Sequence, residues 1–230
     1  MPYKPYFLLF TLFFSAFSFS QINEDQTGGW YMYFWNTTFK ESNFGVQGDV
    51  QHRNWNLGGD LEQLLLRGGL TYSPENANIK FTLGYAHIST GEFGESKDIF
   101  AENRIYQEAL LPQLVGSRFY LTHRFRYEQR WVAEQDLRTR YRYNLFLNVP
   151  LNKPTLEKNA VYLALYNELF INGERSIGSG NTVELFDRNR FYTALGYSLK
   201  DNLRLQLGYM EQTTDTWSKG QIQVSLHHTL

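Results

Sequence analysis

The sequence predicts an all-β chain, folded as a single antiparallel up-and-down transmembrane β-barrel of about 10–12 strands. Three observations predict it: long period-2 alternation, two alternating classes of connection, and aromatic richness in a chain of negative mean hydropathy. The alternation is cleanest from Arg118 to Trp131. Phe119, Leu121, His123, Phe125, Tyr127, Gln129 and Trp131 take one parity, and Arg118, Tyr120, Thr122, Arg124, Arg126, Glu128 and Arg130 the other. Successive strand side chains point to opposite faces, so this strand has one apolar face and one arginine-rich face. At about 3.3 Å per residue such a run exceeds roughly 40 Å, long for a globular strand and suited to a tilted membrane-spanning one.

Eleven segments read as strands: 30–39, 44–53, 61–72, 79–88, 102–110, 117–131, 137–150, 160–171, 187–199, 202–212 and 221–230. In the second, Phe44, Val46, Gly48 and Val50 oppose Gly45, Gln47, Asp49 and Gln51. In the fourth, Ile79, Phe81, Leu83 and Tyr85 oppose Lys80, Thr82, Gly84 and Ala86. In the tenth, Leu203, Leu205, Leu207 and Tyr209 oppose Arg204, Gln206, Gly208 and Met210. No long segment has helical periodicity and no Pro/Ser-rich linker divides the chain, so one domain is expected from residue 21 to 230. Single-chain bacterial barrels have even strand numbers. Either Gln21–Gly29 adds an irregular segment, or one strand is miscounted.

Short connections (Lys40–Asn43, Ser73–Asn78, Leu111–Gly116, Leu151–Asn159, Lys200-Asp201) alternate in order with longer or more polar ones (Asn54–Asp60, Ser89–Ala101, Asn172–Phe186, Thr213–Gly220). The 132–136 connection is short but falls in the second set. The two sets read as periplasmic turns and extracellular loops. Within the last loop-rich stretch, Asn172 to Thr182 carries glycines without a phosphate-loop lysine or a following helix, and reads as a flexible surface loop.

Residues 1–20 read as a cleaved Sec signal peptide: Lys4, an apolar run from Phe7 to Phe17, and Ser18-Phe19-Ser20 before Gln21. Removing it takes away one of the 22 basic residues and none of the 23 acidic ones, so the charge stays near neutral and gives no reason to invoke nucleic acid. The chain has 0 cysteines, which excludes a disulfide scaffold and thiolate metal sites, and no cofactor is implied. After residue 20 no apolar run approaches the ~18 residues of a membrane helix. Aromatics at 17%, including 16 Tyr, beside a mean hydropathy of −0.45, fit a barrel in which half of every strand faces a wet lumen.

A soluble barrel would give the same period with the faces reversed. Strand length argues against it. So do the small residues on or beside the polar face (Gly45, Gly69, Gly84, Ala86, Ala164, Gly196, Gly208), where a narrow lumen must admit Arg and Tyr. A last strand running through Ile222, Val224, Leu226, His228 and Leu230 resembles the strand that engages the barrel-assembly machinery, although Leu230 stands where a terminal aromatic is more usual. The expected location is therefore the outer membrane, with its lipid as the contacting partner.

The polar faces supply the candidate site. Arg53, Arg67, Arg104, Arg118, Arg124, Arg126, Arg130, Arg138, Arg140, Arg142, Arg188, Arg190 and Arg204 share the lumen parity, with Asp49, Glu102, Glu108, Glu128 and Glu168 as acids. If the turn between the sixth and seventh strands centres near Glu134, Glu128 lies opposite Arg140, flanked by Arg130–Arg138 and Arg126–Arg142. Like-charged opposites then need Glu108 or Glu168 to reach in. This network reads either as the filling of a small barrel or as an electropositive lumen selecting a small anionic solute.

The enzymatic alternative rests on Ser225 and His227, two apart on one face, with no acid of that strand beside them. His52, His87, His123 and His228 take the apolar parity and lack metal-ligand spacing. Trp30, Trp35, Trp55, Trp131 and Trp217 sit near strand ends, as interfacial girdle residues do. No catalytic or metal residue is assigned. A receptor or adhesion role through the longer loops is the third alternative.

Five stretches in order carry a family resemblance: Asp60-Leu-Glu-Gln-Leu-Leu-Leu-Arg67 with Gly69 and Tyr72; Arg124–Arg130 ending Glu-Gln-Arg-Trp; Arg138-Thr-Arg-Tyr-Arg-Tyr143; Tyr166-Asn-Glu-Leu-Phe-Ile-Asn172; and Phe186-Asp-Arg-Asn-Arg-Phe191 followed by Gly196-Tyr197. Across Trp30 to the end, the chain resembles domain-of-unknown-function family 2490, a set of predicted outer-membrane barrels of Gram-negative bacteria. The resemblance implies architecture and marks the lumen residues; it supplies no catalytic set.

Overall fold

A computed structural model describes residues 26–94, 96 and 98–230; the leader expected at 1–20 lies outside the described residues. Among the described residues eleven strands form one closed barrel: β1 (Gly28–Thr38), β2 (Phe44–Asn54), β3 (Leu61–Tyr72), β4 (Lys80–Gly91), β5 (Ile99–Val115), β6 (Phe119–Val132), β7 (Arg138–Pro150), β8 (Val161–Asn172), β9 (Phe186–Lys200), β10 (Leu203–Thr213) and β11 (Ser218–Thr229). Sequential neighbours pair antiparallel. The closing pair corrects the purely antiparallel expectation: β1 and β11 run parallel, from Gly28↔Gln221 to Asn36↔Thr229. With an odd number of alternating strands, the first and last must point the same way.

The two sets of connections lie at opposite rims, here called the loop rim and the turn rim. The start of β1 is at the loop rim and the end of β11 at the turn rim. Glu41, Glu134 and Asn159 adopt positive φ, all in connections. In the β7–β8 turn, Lys153 and Thr155 each donate to Glu157 at 3.0 Å. Those bonds hold its carboxyl below the usual carboxylate range.

β5 departs from the expected boundaries. It runs on through Pro112 to Val115, where a connection from Leu111 is predicted. Beyond Leu110 it has no β4 partner, so Pro112 leaves no ladder bond unmade on that side. The opposite connection correspondingly shrinks to residues 92–98.

Alternation sorts side chains as expected. Leu83, Leu195 and Leu207 look outward at 58–60% exposure, whereas Glu128, Arg140 and Arg142 look inward at 1–7%. Two glycines make room for inward tyrosines. Gly84 lies across from Tyr106 and Gly196 across from Tyr162. A Cβ at either position would meet the opposing ring at 2.1–2.5 Å. Gly84→Val is therefore expected to cost about 1–3 kcal/mol through overpacking, read as a lowered urea midpoint of the refolded barrel. An unchanged midpoint would show that Tyr106 turns aside freely.

Candidate functional site

The β6–β7 register puts Glu128 opposite Arg140, Arg126 opposite Arg142 and Arg130 opposite Arg138. Alternation carries these side chains into the interior, where four carboxylates organise them. Glu128 accepts from Arg140 (3.0 and 2.7 Å) and Arg142 (2.6 Å), with Arg104 at 3.6 Å and Arg126 at 3.8 Å. Glu168 Oε1 accepts from Arg142 (2.8 and 2.5 Å) and Arg124 (2.6 Å). Glu108 accepts from Arg126 and Gln47, and Arg124 lies 3.7 Å away. Glu102 serves Arg104 and Arg130. Arg126 and Arg142 are thus set apart by Glu128 between them, with Glu108 of β5 and Glu168 of β8 on either side, which lowers their mutual repulsion.

Two expected members stand apart. Arg118 lies in the β5–β6 turn, before the alternation of β6 begins, and its Nη2 donates to the carbonyls of Pro150, Leu151 and Lys153. Arg138 sits at the loop rim and donates to Gln135 at 3.0 Å, without a carboxylate partner among the described residues. Arg188 is in the interior, donating to Asp187 at 3.0 Å. Arg190 is also inside, and donates its Nε to Gln212 at 2.7 Å.

Two acids join that alternation assigns to the outer face. Register slips opposite Arg53/Asn54 and Phe170/Ile171 turn Glu62 and Asp187 inward. Bulges re-aim side chains in this way. Glu62 accepts from the Trp30 indole at 2.9 Å, and Asp187 accepts from Arg140 at 2.8 Å.

Trp30 itself is a correction: it is 2% exposed inside the barrel, beneath the guanidinium groups of Arg53 and Arg190. The other tryptophans stay at the periphery or in the loops. Trp55 donates to the Gly91 carbonyl at 3.1 Å, and Trp131 is 42% exposed. The four histidines of apolar parity lie on the outer wall, where His87, His123 and His228 bond to Asn103, Tyr143 and Tyr33.

Ser225 and His227 do touch, at 2.9 Å. The imidazole is stacked on Phe34, and Arg204 is its register partner. A cation at that place opposes the imidazolium that serine attack requires. No cluster of His, Asp or Glu suited to a metal occurs among the described residues.

The Asn172–Phe186 connection is more structured than its composition predicts. Glu174 accepts from the Thr139 amide and hydroxyl, Arg175 pairs with Glu184, and Ser176 bridges Thr182.

Bonds between non-neighbouring strands span the interior: Gln47 of β2 to Glu108 of β5 at 3.0 Å, Arg124 of β6 to Glu168 of β8 at 2.6 Å, and Tyr166 of β8 to Gln223 of β11 at 3.2 Å. A cavity of about 450 Å³ remains. Its lining residues Asn36, Lys80, Leu110, Asn148 and Arg204 at the turn rim are half-exposed. Toward the loop rim its lining residues Arg53, Glu102, Arg130 and Arg140 are buried.

An apolar outer wall around a guanidinium–carboxylate interior defines the class: an odd-stranded β-barrel with a charged, cross-braced lumen. The chain belongs to the family described as Protein of unknown function (DUF2490), whose model matches residues 27–223. No curated protein matches it.

Proposed function

We propose that this protein spans the bacterial outer membrane as a non-conducting, non-enzymatic barrel, with a blind aqueous cavity open at the turn rim. The observation that carries the reading is the inverted distribution of polarity. Leu66, Leu83, Phe125, Tyr141, Leu195 and Leu207, on six different strands, stand 44–60% exposed. Contiguous apolar surface of that kind is costly in water and is the natural wall of a barrel in acyl chains. No helix among the described residues is long and apolar enough to cross a membrane, so the strands would do the crossing. On this reading lipid is the lateral partner, and β11 presents the recognition strand to the assembly machinery.

The bonds that skip strands and the burial of the loop-rim half support the closed reading. The outcome expected from planar-bilayer recording of the refolded protein is a flat trace without unitary steps. Discrete openings would overturn the closed reading, and anion-selective ones would restore the small-pore alternative. Recovery of the protein freely dissolved in the periplasm would remove the membrane reading altogether.

A further inference from the structure

We propose that Arg53 and Arg190, each held against the indole of Trp30, form a binding site for the phosphate-type oxyanion of a ligand entering from the turn rim. The inference concerns the barrel interior and holds whether the outer wall meets lipid or water.

Charge pairing singles these two out among the buried arginines. Arg67, Arg104, Arg124, Arg126, Arg130, Arg140, Arg142 and Arg188 each have a carboxylate within ion-pair distance. Among the described residues Arg53 and Arg190 have none, although they are only 6% and 8% exposed. The acids beside them hydrogen-bond to other partners. Glu168 is Arg190's register partner, yet its Oε1 takes Arg124 and Arg142; Glu62 accepts the Trp30 N–H.

Neutral amides hold the two guanidinium groups instead. Arg53 donates to Gln51 (3.2 and 2.6 Å) and to Gln63 (2.8 Å). Arg190 donates its Nε to Gln212 at 2.7 Å, leaving both terminal nitrogens without a protein acceptor among the described residues. Glutamine carbonyls orient a guanidinium without cancelling its charge. The Cζ atoms stand 3.8 Å (Arg53) and 4.9 Å (Arg190) from the Trp30 ring centroid. Two cations at one ring repel in a low-dielectric interior, and an oxyanion reaching both converts the repulsion into forked charge-assisted bonds.

The approach is built to match. The cavity of about 450 Å³ runs from Arg53 and Arg190 past Arg67 to Lys80 and Arg204, and it is large enough for a small organic ligand. Cations along the route raise the local anion concentration.

The test is a titration of the full refolded chain with inorganic phosphate at ionic strength held constant with KCl, read by tryptophan emission. A saturable change is expected in the wild type and absent in Trp30→Phe. Arg190→Gln is expected to weaken it about tenfold or more. A response no different from KCl alone, or an Arg190→Gln barrel that titrates like wild type, would overturn the site. If Arg190→Gln fails to fold, Arg53→Gln takes its place, and the comparison of wild type with Trp30→Phe decides by itself. Competition then names the source: displacement by a soluble phosphomonoester supports a free ligand, and stronger displacement by a short-chain phosphatidic acid supports a lipid headgroup.

Discussion

Glu128→Ala is expected to cost the barrel about 3–5 kcal/mol, the range for removing one partner from a buried ion-pair network. Glu128 is 1% exposed and lies within 4.0 Å of Arg104, Arg126, Arg140 and Arg142. Without it, Arg140 keeps Asp187 and Arg142 keeps Glu168, but both lose their shared carboxylate while remaining buried. The measurement is urea unfolding of protein refolded in detergent micelles. Glu128→Gln keeps the shape and one acceptor, so it should fall between wild type and alanine. A double-mutant cycle with Arg140→Ala should show strong non-additivity, because the second substitution removes a charge the first has orphaned. An alanine variant as stable as wild type would mean the lumen is wet enough to solvate four guanidinium groups.

Phe125→Arg is the second large effect, and it separates the membrane reading from its rival. Phe125 lies near the middle of β6, is 51% exposed, and packs at 5.0 Å against the Tyr143 ring. In a bilayer an arginine at mid-depth on the outer wall costs about 2–4 kcal/mol, which should block assembly or strongly lower folding yield into vesicles. In water the same change at a half-exposed site would fall within roughly 0.5 kcal/mol. Thr122→Ser, on the cavity side, should leave yield unchanged and controls for handling. A stable, water-soluble Phe125→Arg barrel would defeat the membrane reading.

Much of this architecture was legible from alternation. The β6–β7 turn near Glu134 gave the register, and with it the opposition of Glu128 to Arg140 and of Arg126 to Arg142. What escaped has physical reasons. Glu62 and Asp187 face inward because a bulge breaks the parity rule locally, and no residue type around either marks the slip. Trp30 escaped because β1 is apolar on both faces from Trp30 to Trp35, so period-2 reading has nothing to compare. Arg118 reads as inward in the sequence because the charged alternation continues one residue past the strand, into the turn. The odd closure was visible as eleven segments, but the even-number regularity of bacterial barrels argued against it. The acids' reach across strands depends on side-chain conformation that spacing does not encode.

The parallel seam leaves the wall mechanically uneven. Slanted bonds in a parallel pair hold slightly less per residue than the perpendicular bonds of its neighbours. Under heat or lateral tension the cylinder should therefore unzip first along the line from Gly28–Gln221 to Asn36–Thr229. A crosslink stapling that joint would raise the rupture threshold more than one placed across any hairpin.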